Sequence, residues 1–189
     1  MKANVKTRLL RTAAAAAIIT ALLASLCGCG SKRITDEAAM PLQRAIDGVL
    51  EADVNEYLSA FPPDYVEIIT EEYERSVCED FTAYMQEYLS SALETHEVNL
   101  GGHTEIYFEL QSKEALSDDQ LDKYYDGYVD YNVIQYTPDT SAITGQYMIK
   151  GTLFRSGDES GTSADASFFV IEYNGQWYLH PISFFSVFN

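Results

Sequence analysis

The spacing of apolar residues changes from three-and-four to two near His103, and that switch fixes the class of fold open to the chain. Before it, the stripe Ala39, Leu42, Ile46, Val49, Leu50, Asp53, Tyr57 and Leu58 predicts a helix from Asp36 to about Ala60. Asp36 and Glu37 occupy its first turn, where acidic side chains suit the helix dipole. Pro41 either sits in that first turn or marks the true start, and Phe61-Pro62-Pro63 ends the helix. A second stripe, Tyr73, Val77, Phe81, Tyr84, Met85, Tyr88, Leu89 and Ala92, predicts another helix capped by Thr70, with Asp64 to Ile69 as a short helical turn between the two. Each helix has one apolar and one charged side, so each lies on a larger surface.

After His103, Ile106, Phe108 and Leu110 alternate with Glu105, Tyr107 and Glu109, a half-buried strand. Ser117 and Gln120 form a capping-box pattern for a short helix to about Tyr125. Strands are expected over Tyr128 to Tyr136, Ala142 to Arg155 (with Gly145 and Gly151 as bends or bulges) and Asp165 to Tyr173. Asn174-Gly175 is a hairpin turn signal, after which Trp177 to His180 returns. Ser156 to Ala164 reads as a long exposed loop. Helices first and an antiparallel sheet last give an α+β fold in two layers, with the helices on one face of the sheet.

Ahead of this domain, Lys2, Lys6, Arg8 and Arg11 precede an uncharged run from Thr12 to Leu26. That is the layout of an export signal, and the run is short for a membrane span. Leu26-Cys27-Gly28-Cys29 then resembles the bacterial lipobox, which implies cleavage before Cys29 and a diacylglycerol thioether on it. Cys27 fits less well, because bulky Leu26 would stand just before the cut. The expected organisation is a signal over residues 1–28, a lipidated Cys29 and tether over 29–35, and a domain over 36–189, held outside the cell membrane by its lipid. Gly30 supplies no Asp-type retention signal.

Losing residues 1–28 removes four of the twelve basic residues and none of the 29 acidic ones, so eight remain against 29 and the net charge is near −21. Such a chain has no positive footprint for nucleic acid, and it is repelled by anionic lipid headgroups. Fourteen tyrosines and nine phenylalanines separate it from disordered acidic chains, which are poor in aromatics. With Cys27 removed and Cys29 acylated, only Cys78 is left, so no internal disulfide is expected. Its position beside Val77 and Phe81 reads as that of a small buried hydrophobe.

In element order from Asp36 onward, the chain resembles the NTF2-like (cystatin-like, SnoaL-type) superfamily, and more narrowly the small NTF2-like lipoproteins of Gram-positive bacteria. The local features that carry the likeness are Leu116-Ser117-Asp118-Asp119-Gln120-Leu121 and Gly175-Gln176-Trp177-Tyr178-Leu179. The resemblance implies a strongly curved sheet wrapped against the helices as a cone, whose open end is a pocket in many members. It covers isomerases and dehydratases as well as pure binding and assembly modules.

Enzymatic members of that superfamily carry an Asp or His base inside the cone, but no motif here allows such a residue to be transferred. His96 and His103 flank a connection, whereas His180 follows the Trp177-Tyr178-Leu179 run and is the one catalytic candidate. No metal spacing, calcium loop, phosphate loop or nucleophile elbow is present in the sequence, and no cofactor is expected. Tyr131, Tyr147, Tyr173, Trp177 and Tyr178 are candidates for the lining of a ligand pocket on the sheet. The expectation is a non-enzymatic binding or accessory module of the cell envelope, with a small molecule or envelope protein as partner. Two alternatives stay open: a small isomerase- or dehydratase-like enzyme, and a homodimer formed through the outer sheet face.

Overall fold

A computed structural model describes residues 34–117, 119–120 and 139–184. The expected signal, Cys29, most of the short helix and the strand over Tyr128 to Tyr136 lie outside these residues. The described chain is α+β, with four α-helices followed by a four-stranded antiparallel sheet. The helices are α1 (Met40–Leu50), α2 (Val54–Leu58), α3 (Pro63–Ser76) and α4 (Phe81–Leu100). The strands are β1 (Glu105–Ala115), β2 (Ile143–Ser156), β3 (Gly161–Tyr173) and β4 (Gln176–Leu179), hydrogen-bonded in sequence order.

The first expected helix is two helices. A 3₁₀ turn at Glu37–Ala39 leads into α1, and the chain then turns back at Glu51 to Asp53, with Ala52 at φ 48°. Asp53, read as part of the stripe, instead caps α2 by accepting from the amides of Asn55 and Glu56 at 2.9 and 3.1 Å. Gly48 makes the reversal possible, since a Cβ there would lie 2.6 Å from the Tyr57 amide nitrogen.

The second expected helix is also divided, and it starts earlier. Pro63 opens α3 in the first turn, where a missing N–H costs nothing. Thr70 is not a cap: it lies inside α3 and donates its hydroxyl to the Val66 carbonyl at 2.7 Å. The chain breaks at Val77 to Asp80, and Asp80 caps α4 through the Ala83 amide at 2.9 Å. Val77 is therefore exposed, at 56%, and Cys78 is half-buried in the break and not in a helix. Gly101, at φ 86°, closes α4 in the left-handed conformation.

In the sheet, β1 runs past Leu110 to Ala115 through a bulge between Leu110 and Ser112. Gly151 faces that bulge, where a Cβ would meet the Glu109 carbonyl. The second irregularity falls between Ile143 and Gly145. Asn174 and Gly175, at φ 51° and 76°, make the tight β3–β4 turn that their sequence predicts. The expected long loop is shorter: Gly161 to Ala164 pair with β2, leaving Gly157 to Ser160 as the turn. Its residues are held by α4, because the amides of Glu159 and Ser160 both donate to the Leu100 carbonyl.

One core joins the layers. Leu42, Ile46 and Val49 of α1, Met85 and Leu89 of α4, and Phe108, Ile149, Leu153, Phe168 and Val170 of the sheet share it. The rings of Tyr57, Phe61, Tyr65 and Phe184 close one end, with centroids 4.7–6.4 Å apart. Among the described residues, the exposed large apolar side chains, Met40, Ile68, Val77 and Val98, all belong to the helical half. No described helix is long and apolar enough to cross a membrane.

Candidate functional site

A groove of about 420 Å³ runs along α4, lined by Tyr84, Glu87, Tyr88, Ser91, Ala92, Thr95 and His96. These positions recur at three- and four-residue intervals, so they form one stripe on a helix of about 30 Å. The stripe lies beside the buried one, Phe81, Met85 and Leu89, which anchors α4 to the core. Tyr84 and Tyr88 are consequently half-buried, packing on the core while also lining the groove. Thr95 donates its hydroxyl back to the Ser91 carbonyl at 2.8 Å.

The tyrosines of the groove continue a set of phenols that reaches into the helical layer. The ring of Tyr73 packs on Phe81 and Tyr84, each at 5.4 Å between centroids. Burial raises the pKa of Tyr88, Tyr73, Tyr65 and Tyr57, and neighbouring phenols add to each rise. At the other end, partial burial and then the charge of Arg155 lower the pKa of His96. The two shifts both favour uncharged forms, so Tyr88 is held as a phenol and His96 as a neutral imidazole. This surface presents phenols, hydroxyls, an imidazole and the Glu87 carboxylate around Ala92.

Compared with known proteins, the chain matches no family model, no curated protein and no solved structure. The reading of the site rests on its own chemistry.

The residues singled out from sequence do not form one site. Cys29 and Tyr131 lie outside the described residues. Tyr147 and Trp177 do meet, with centroids 5.6 Å apart, and both pack against the core. The ammonium of Lys113 stands 5.1 Å from the Tyr147 centroid. Tyr178, next to Trp177 on β4, points to the other face of the sheet. Its hydroxyl meets Gln176 Oε1 at 2.7 Å, and Arg44 lies 5.9 Å from its ring centroid. Tyr173 donates to Asp64 Oδ2 at 3.0 Å. None of these lines the α4 groove.

His180 is 3% exposed and heads the turn Pro181–Ser183. Its Nδ1 accepts the Ile182 amide at 3.2 Å, and its ring is tilted edge-on toward Phe169. Burial pushes its pKa down to about 3, so the ring is neutral near pH 7. An imidazole whose Nδ1 caps the backbone is poorly placed to exchange protons with a substrate. No group of three metal-ligating side chains occurs among the described residues.

Sequence reading passed over the groove because Tyr84 and Tyr88 were assigned to the apolar stripe. The signal was there: along the same side, the stripe becomes Ser91, Thr95 and His96, which a purely packing face would not do.

Proposed function

We propose that this chain is an exported lipoprotein, anchored outside the cell membrane through acylated Cys29, whose domain is a non-enzymatic binding module. The observation that carries the binding reading is the open α4 groove, where two phenols, two hydroxyls, an imidazole and the Glu87 carboxylate surround Ala92. The anchoring reading is supported by the basic start, the uncharged run and the lipobox-like Leu26 to Cys29. Helices followed by an open four-stranded antiparallel sheet support kinship with the NTF2-like superfamily in element order, and the cone belongs to this proposal alone. Against an enzyme of that superfamily stands the environment of His180, which is engaged with the backbone and held neutral.

Native mass spectrometry of the protein extracted gently from membranes tests both parts. The expected species lacks residues 1–28, carries a diacylglycerol on Cys29, and holds a non-covalent small-molecule adduct. Cys29→Ala should lose the lipid and leave the adduct. A full-length, unmodified chain would overturn the anchor, and an adduct-free chain in every preparation would overturn a tightly held ligand.

A further inference from the structure

Ile34 belongs to the core, so the chain is fixed sooner after Cys29 than the expected tether over 29–35 implies. Its side chain is buried in the core cluster, and its amide donates to Gln43 Oε1 of α1 at 3.3 Å. Two residues on, Asp36 caps the 3₁₀ turn through the Ala38 amide and accepts from Lys113 Nζ at 3.0 Å. Gly30 to Arg33 are all that separate Cys29 from Ile34. Fully extended, that stretch reaches about 18 Å.

The point of entry lies at one end of the sheet. Lys113 is near the end of β1, and its ammonium stands 5.1 Å from the centroid of Tyr147, whose ring meets that of Trp177 at 5.6 Å. Arg44 of α1 donates to the Trp177 carbonyl at 2.9 Å. The turn Glu37–Ala39 packs on β3 and β4, and Met40, next in sequence, is 41% exposed. The Gly157–Ser160 turn lies at the opposite end, since Tyr147 pairs with Ala115 whereas Ser156 pairs with Glu105. Those two pairs are nine residues apart along β2, which is about 30 Å.

The two ends differ in charge. Around the entry point Arg44 and Lys113, with Lys32 and Arg33 in the tether, offset Asp36, Glu37, Asp47 and Glu172. The opposite turn exposes Asp158 and Glu159. An anionic bilayer repels an acidic domain least where the charge of that domain is balanced. Tryptophan and tyrosine favour the boundary between lipid and water, and basic side chains are drawn to anionic headgroups.

We infer that this end is a membrane-contact surface. The short tether holds Met40, Trp177, Tyr147, Arg44 and Lys113 against phospholipid headgroups, and the Gly157–Ser160 turn points away from the bilayer. The inference rests on the lipid anchor of Cys29 proposed above and adds what that anchor does to the domain: it sets height and orientation.

Trp177 is the one tryptophan of the chain, so its fluorescence reports on this end alone. The diacylated protein, its lipid confirmed by mass, is placed in nanodiscs of phosphatidylcholine and phosphatidylglycerol with or without a nitroxide on the headgroups. Trp177 emission should fall about twofold or more in the nitroxide discs, as for an indole at headgroup level. Ser163→Trp adds a second indole, exposed on β3 near the opposite turn, and its emission, obtained by subtracting the wild type, should survive. Undiminished Trp177 emission with the lipid attached would overturn the contact and leave the anchor standing. Equal loss from both indoles would overturn the orientation. A chain without lipid on Cys29 would overturn the anchor and the inference together.

Discussion

The phenolic hydroxyl of Tyr57 donates to the backbone carbonyl of Phe184, tying the short helix α2 to residues just beyond the last strand. The bond spans 127 residues and is wholly buried. Burial holds the phenol well above its ordinary pKa, so it remains a donor wherever the protein is folded. Tyr57→Phe keeps the ring in its aromatic cluster and removes only the donor. The expected loss is about 1–2 kcal/mol, because a buried carbonyl loses a partner that water cannot readily replace. Urea unfolding should show a lower midpoint at unchanged slope. An unchanged midpoint would mean that the bond adds nothing net to stability.

Gly48 offers a test in which two effects oppose each other. Alanine is favoured over glycine inside a helix by about 1 kcal/mol. A Cβ at this position, however, would lie 2.6–2.8 Å from the backbone and Cβ of Tyr57, none of which can swing aside. Overpacking of that kind costs about 1–3 kcal/mol, so Gly48→Ala should destabilise despite its better propensity. A raised thermal midpoint would show that α1 and α2 separate at little cost.

The class of fold was legible because a period of 3.6 and a period of 2 cannot be confused over elements this long. The breaks were not legible. Asp53 and Asp80 look like polar members of a stripe, and only the finished packing shows that each caps a new helix. Pro63, read as the end of the first helix, instead opens α3, because its fixed φ suits the first turn, and Thr70 lies inside it. Asn174-Gly175 was read correctly, since its left-handed backbone is a local preference that needs no tertiary help. The groove was hidden for a different reason. Its lining residues, Tyr84 to His96, all lie on α4, where the tyrosines fit the apolar spacing of a packing face as well as that of a lining.

His180 makes stability depend on pH. Its pKa lies near 6.5 when exposed and near 3 in the folded protein, so between these values the unfolded chain binds a proton that the native one refuses. Stability from this group is complete above 6.5 and is lost as pH falls through that window, by up to about 1.4 kcal/mol per unit. Protonation of the many carboxylates acts on the same range, so the comparison must be with a variant. His180→Asn keeps an acceptor for the Ile182 amide and does not titrate there. Urea midpoints measured from pH 7 to pH 5 should fall more steeply for the wild type than for His180→Asn. Parallel profiles would show that the ring is reached by water.

His96 reports on the groove directly. Burial is the larger cause of its lowered pKa and the charge of Arg155 the smaller, so its NMR titration midpoint should fall below 6.5. Arg155→Gln should recover part of that shift and not all of it, because the burial remains. The three histidines are readily told apart by single substitution. A midpoint that ignores Arg155→Gln would show that burial alone lowers the pKa of His96.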